Sequence, residues 1–526
     1  MKTFYYKIIS LFCVFSMIGI VLGVQSCNKE VETKEVLGVL TPAKLDQTAS
    51  TWTPVILTNY STQVPVAAPA ATTSAAYVAE IAAIKDAQSK LTKSQRDIIE
   101  YWSAGGVLRW NQILRELVAK YNLPPAPKAD GTYATPDAEN PFGDPAFPFS
   151  NPPYAARAYS YVSVAQYDAL KAAWFYKFQY NRPSPYKVDS SVESLMPASD
   201  LPAYPSEDAV LSGVTAEMMK VIFPAALEEI TLRAADQRNA ALWSGKATAS
   251  DISTGLALGK AVAAIILAPG TGRFRTDGMG AAVGTPVQWQ ALADGAIARG
   301  EIPWISLEIP VRPPMLPNFG KVRAWNMTLA QITAERPLPP PPTLSGEMEE
   351  EITEVKSYAD KLTRENLAIV HKWADGAGTY TPPGHWNDIA EEYIAAANYS
   401  EVRAARAFAM LNMAIHDAGV GCWETKYFYF NPRPSQLDVS IRTGTGIPNF
   451  PAYTSGHSTF SASAATVLSY LFPSDAQYFN AAATEASLSR LYGAIHYRSD
   501  CEKGLAHGTR IGGYTVTFAT SDGAGN

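Results

Sequence analysis

An all-α fold of two four-helix-type bundles is the architecture this 526-residue sequence predicts. Three observations carry it. Stretches such as Ala404–Ala418, Ser461–Leu471 and Gln477–Gly493 are rich in Ala, Leu and Met, with apolar residues three and four apart. Strand-like alternation is scarce. The second half of the chain also repeats the first in a worn form, with Ala404-Ala405-Arg406-Ala407 falling on Ala155-Ala156-Arg157-Ala158 and Phe472-Pro473 on Phe223-Pro224. A duplicated helical unit that shares its core is the economical solution.

The elements follow in chain order. Residues 1–27 carry a basic start, an apolar run from Ile8 to Val24 and a small residue before Cys27. That pattern is a lipoprotein signal, so the expectation is cleavage before a lipidated Cys27 and a place on the bacterial cell envelope, membrane contact being through the lipid alone. Residues 28–72 are polar and rich in Thr, Val and Pro, which reads as a flexible tether. Residues 73–270 form the N-terminal bundle. Residues 271–345 are rich in Gly and Pro, end in a Pro339–Pro342 run, and read as a connector with little regular structure. Residues 346–526 form the C-terminal bundle. No stretch beyond the signal is expected to be long and uninterrupted enough to span a bilayer. A net charge of -6 argues against nucleic acid as a partner.

The repeat also says where chemistry survives. His457 falls on Asp208, Gly456 on Glu207, Arg490 on Ala241 and His496 on Ala247. An acidic pair where an anion would sit repels it, so the first copy reads as scaffold and the site is single. Cys422 and Cys501 fall on Ala173 and Ile252, which favours two buried thiols over a disulfide.

Three C-terminal stretches carry that chemistry: Lys426–Pro434, Thr454–His457 and Ser489–Asp500. Guanidinium forks from Arg433 and Arg490 and the Lys426 ammonium would neutralise a tetrahedral oxyanion. The Ser455 hydroxyl and Gly456 N–H would hydrogen-bond it. Ser455-Gly456-His457 precedes a helix, whose first N–H groups favour an anion. Asp500, four residues after His496, can accept the Nδ1 hydrogen and leave Nε2 free to attack or ligate the centre. His457 is the candidate acid/base. His371, His385 and His507 belong to none of the three stretches and read as structural.

Spelled as Lys426-x6-Arg433-Pro434, Ser455-Gly456-His457 and Ser489-Arg490-x5-His496-x3-Asp500, these motifs resemble the signature of the type 2 phosphatidic acid phosphatase and vanadium-dependent haloperoxidase superfamily. Thr454 departs from it, standing where proline is usual. The resemblance implies a helical bundle in which Lys426, Arg433, Ser455, Gly456 and Arg490 bind the equatorial oxygens of phosphate or vanadate. His496 would bond phosphorus or vanadium, and His457 would be the acid/base. The duplicated length, Trp423 and Phe450 resemble the haloperoxidases, where the two aromatic positions lie near the halide. The implied activity is oxidation of halide by hydrogen peroxide with vanadate as cofactor. A phosphomonoesterase working through a phosphohistidine, with no cofactor, keeps the same cage. So does a non-enzymatic anion-binding protein of the envelope.

Overall fold

The computed structural model describes residues 37–137 and 149–525. The signal segment and Cys27 lie outside them. From Val39 onward the chain packs as a unit. Its helices of eight residues or more are α1 (Ala75–Ser89), α2 (Lys93–Trp102), α3 (Gly106–Lys120), α4 (Pro152–Tyr180), α5 (Glu207–Ile222), α6 (Leu227–Trp243), α7 (Ala249–Leu267) and α8 (Pro286–Ala298). There follow α9 (Gly346–Asp360), α10 (Arg364–Lys372), α11 (Thr381–Ala396), α12 (Glu401–Tyr429), α13 (Gly456–Leu471), α14 (Ala476–Tyr492) and α15 (Arg498–Ser521). No strand occurs among the described residues, only an isolated bridge between Asn122 and Phe149. The fold is all-α.

Two long helices form the spine. α4 and α12 are each 29 residues, and both are buried almost throughout. Asn151 caps α4, with prolines in its first turn, and Ser400 caps α12. Each ends on a left-handed residue, Asn181 (φ 48°) and Phe430 (φ 56°), whose N–H returns to the carbonyl of Lys177 or Lys426. The two helices pack against each other, and Asn412 of α12 donates to Ser163 Oγ of α4 at 3.0 Å. α5 and α7 flank one side of this spine, and α13 and α15 the other. Paired helices keep one register: α5 and α13 are each 16 residues, and α6 and α14 each 17.

Close helix contact sets the position of the α13 N-terminus. Gly504, Gly508 and Gly512 lie at four-residue spacing on α15, where a Cβ would strike α13. At Gly508 it would lie 2.1 Å from the Thr459 carbonyl oxygen. The expected result of Gly508→Ala is a loss of roughly 1–3 kcal/mol in stability by urea denaturation, because backbone must move to admit the methyl.

Three expectations are corrected. Residues 39–67 are a packed strap and not a tether. The buried Asp168 carboxylate accepts hydrogen bonds from Val55, Ile56 and Leu57 N–H, Leu40 N–H reaches the Ser103 carbonyl, and Leu57 is fully buried. The connector contains a regular helix, α8, started by Pro286 and a Thr285–Gln288 capping box. Finally, α7 is long and apolar enough to cross a membrane. It packs instead against α5, with Leu258, Val262, Ala263 and Ile266 buried. Cys422 and Cys501 are free and buried.

Candidate active site

All the motif residues meet at one end of the C-terminal bundle. Lys426 sits in the last turn of α12, and the left-handed Phe430 turns the chain so that Arg433 comes back towards it. Ser455 is the N-cap of α13, with Gly456 and His457 its first two residues. Arg490 lies in the last turn of α14, His496 in the following turn, and Asp500 in the first turn of α15. A cavity of about 420 Å³ opens above them. Gly456, His457, Arg490 and His496 line its floor, and Phe149, Met315, Trp423, Phe450 and Phe460 its walls.

His496 is held by both ring nitrogens. Nδ1 is 2.8 Å from Asp500 Oδ2, and Nε2 is 2.9 Å from an Arg433 guanidinium nitrogen. Guanidinium only donates, so Nε2 is the lone pair and Nδ1 carries the hydrogen. Burial, then the charges of Arg433 and Lys426, hold the imidazole well below its ordinary range. Burial raises the Asp500 carboxyl, against the pull of Lys426. Asp500→Asn is expected to lower turnover about 10²-fold or more, since an amide stabilises the wrong tautomer. The check is kcat beside an unchanged circular dichroism spectrum.

The three cations are buried without a counter-charge. Lys426 donates to the carbonyls of Pro451 and Ala452, each at 2.8 Å. Arg433 donates to the carbonyls of Phe450 and Ile495, and Arg490 to Ser489 Oγ and the Trp373 carbonyl. Among the described residues no carboxylate lies within ion-pair distance of any of them. Burial pushes Lys426 down to about 7 and both arginines down to about 10. A Cβ placed on Gly456 would meet nothing nearer than the Phe460 ring at 4.0 Å, so space remains beside its N–H. An oxyanion with two or three charges fits this surround, and a bare cation does not.

Phe450 and Trp423 stand beside the cage. The Phe450 ring is 5.0 Å from Lys426 Nζ and 5.2 Å from the Arg433 guanidinium carbon. Trp423 lies 5.0 Å from it, ring centre to ring centre. The indole N–H of Trp423 is committed to the Met315 carbonyl at 3.1 Å, leaving only its ring to face the cavity.

Sequence reasoning missed Asp375 and read His385 as structural. Asp375 Oδ2 is 3.5 Å from His457 Nε2, an ion-pair distance longer than a good hydrogen bond. His385 Nδ1 lies 3.0 Å from Asp375 Oδ1. Burial disfavours the charged Asp375, but the two histidines outweigh it and hold the carboxyl well below the usual range. His457 is pushed down to about 4, by burial first and then by Arg490. His507 is buried away from the site, and His371 is exposed.

The N-terminal half treats its buried cations differently. Lys177 there pairs with Glu207 at 2.7 Å, Lys246 with both Glu207 and Asp208, and Arg182 with Asp251. The acidic pair expected to repel an anion is instead neutralised by lysines. There the chain's own carboxylates pair with the buried cations, whereas Lys426, Arg433 and Arg490 stand without such partners.

The chain is similar to known proteins in part of its sequence and in its fold. Residues 406–522 match the model of the PAP2 superfamily. A bacterial vanadium-dependent iodoperoxidase aligns over 70% of this chain and 91% of its own, with 24% identity and a TM-score of 0.50. A bacterial vanadium-dependent chloroperoxidase in its holo form aligns over 74% of this chain and 96% of its own, at 11% identity and a TM-score of 0.47. No curated protein matches the sequence. The PAP2-superfamily match falls within the C-terminal bundle, and the fold is the one found in the iodoperoxidase.

Proposed function

We propose that this protein is a vanadate-dependent haloperoxidase of the bacterial envelope, lipid-anchored at Cys27, that oxidises halide with hydrogen peroxide. The observation that carries the anion half of this reading is the trio of buried, unpaired cations. Lys426, Arg433, Arg490, Ser455 and the Gly456 N–H would hold vanadate, and His496 Nε2 would ligate it. Bound vanadate supplies Lewis-acid activation of peroxide towards halide.

The chain's own residues supply the rest. Asp500 keeps Nε2 of His496 unprotonated. With its proton affinity depressed, His457 is neutral near pH 7 and so acts as a proton acceptor for peroxide entering the cage. The ring wall of Trp423, Phe450 and Phe460 keeps bulk water from the reacting centre. Phe450, between two cations, offers a polarisable face where a halide would approach.

The second reading, a phosphomonoesterase, rests on the PAP2 match and on the same unprotonated Nε2, which could attack phosphorus. It needs a proton donor for the leaving alkoxide, the part His457 would take once a bound dianion favours its protonated form. The deciding assay uses purified protein with and without orthovanadate, offered iodide, bromide or chloride with peroxide, and separately p-nitrophenyl phosphate. Vanadate-dependent halide oxidation supports the first reading. Ester hydrolysis without halide oxidation replaces it by the second. Vanadate or phosphate binding with no turnover of either kind leaves a non-enzymatic anion binder.

A further inference from the structure

Arg490 and His457 are both served by one short arm. At the C-terminal end of α10 and just beyond it, the carbonyls of Val370 and Trp373 accept from Arg490 at 3.4 and 2.7 Å. Two residues further on, Asp375 turns through a left-handed conformation (φ 45°) and presents its carboxylate to His457. Asparagine and aspartate tolerate that region better than most residues, but it still needs support from outside.

His385 supplies that support from α11. Its ring stacks on Trp373, with centroids 4.2 Å apart and planes 20° from parallel. Its Nδ1 reaches both Asp375 oxygens, at 3.0 and 3.3 Å. A second tie holds Trp373 from the other side, its indole N–H donating to Glu485, which also pairs with Lys372. His385 does not line the cavity, so it touches neither substrate nor oxyanion. The Pro382-Pro383-Gly384 start of α11 fixes where the ring stands. Gly384 is required there, because a Cβ would fall 2.5 Å from the Tyr159 hydroxyl.

We propose that His385 is a positioning residue for the acid/base: it donates Nδ1–H to Asp375 and stacks on Trp373, thereby fixing His457 as its Nε2–H tautomer and Arg490 in its binding direction. With Nε2–H pointed at Asp375, Nδ1 of His457 is the nitrogen left for the cavity. If the arm slackened, His457 would lose its tautomer preference and Arg490 two of its acceptors together. The proposal builds on the oxyanion site but not on the choice between halide oxidation and ester hydrolysis.

The test is nitrogen-15 NMR of ring-labelled histidine, practical because the chain has only 6 histidines. It is paired with calorimetric titration of inorganic phosphate and orthovanadate. In the parent protein near pH ~7 the expected tautomers are Nδ1–H for His385 and Nε2–H for His457. The opposite tautomer at either ring overturns the proposal without any variant. His385→Phe keeps a stacking ring but no donor. It should give a mixed tautomer at His457 and bind both anions at least ~5-fold more weakly. His385→Asn restores an N–H near the Nδ1 position and should return the parental His457 tautomer, with anion affinity recovering only in part because the stacking on Trp373 is lost. A folded His385→Phe protein with parental His457 shifts and parental anion affinity sinks the idea, because a merely structural histidine would lower only thermal stability. Loss of halide oxidation in the parent would end the proposed function while leaving these readouts in place.

Discussion

Replacing His496 with alanine abolishes turnover while the cage still binds its anion. Among the described residues, the imidazole is the side chain whose lone pair is directed at the guanidinium of Arg433, beside the place proposed for the oxyanion. Whether that lone pair ligates vanadium or attacks phosphorus, no neighbour replaces it. His457 Nε2 faces Asp375, and the Lys426 ammonium is turned to two carbonyls. A loss of at least ~10³-fold in kcat is expected, the scale seen when a nucleophile or its equivalent is removed. Anion affinity should fall less, because three cations and the α13 N-terminus remain. Folding should survive: Asp500 Oδ2 keeps the Tyr497 N–H at 3.1 Å, so roughly 1–3 kcal/mol is the cost of the lost partner. Halide and ester assays with a urea melt check all three parts. Turnover within ~10-fold of the parent would mean that the assignment of His496 is wrong.

The sequence made this site legible because each motif is local. Ser455, Gly456 and His457 are consecutive, and a helix cap can hold such a triplet in only one way. His496 and Asp500 are four apart across a helix start, which brings carboxylate to imidazole wherever the helix lies. What joins the motifs to one another was not legible. Arg490 is held by the carbonyls of Val370 and Trp373, and a main-chain acceptor leaves no trace in residue identity. Asp375 comes from a loop outside all three stretches. The signal nearest to it was the Pro-Pro-Gly-His-Trp string, whose histidine turns out to hold that loop.

The strap and the connector failed for a related reason. Thr-, Val- and Pro-rich composition marks a linker when nothing binds its backbone, but Asp168 captures three successive N–H groups of residues 55–57. Asp417, in the other long helix, does the same to Trp325 and Asn326. An acid at a fully buried position of each spine helix was a visible sign that some backbone had to come to meet it. In the connector, Thr285-Pro286 with Gln288 was a readable helix start that the surrounding Gly and Pro obscured.

A tetrahedral dianion should stabilise the fold strongly, and more so in mild acid than in mild base. Lys426, Arg433 and Arg490 are buried together with carbonyls, a hydroxyl and the His496 imidazole for partners and no carboxylate at ion-pair distance, a surround that disfavours their charge. The sign follows from Lys426, pushed from 10.5 down to about 7 by burial and then by Arg433. Between those two values the unfolded chain holds a proton that the folded, anion-free chain has released. Stability of the anion-free protein therefore rises with pH across that window, and Lys426 costs most below it. A bound dianion favours the ammonium, so binding at pH ~9 must draw in a proton and at pH ~6 need not. Sulfate is the clean probe, being a dianion at both values. At 100 times its dissociation constant it should add about 2.7 kcal/mol near pH ~6, and distinctly less near pH ~9. Scanning calorimetry reads the shift in Tm, and titration in two buffers of unlike ionisation heat reads the proton. Equal stabilisation at both values, with no proton taken up at the higher one, would show that Lys426 is not among the groups facing the anion.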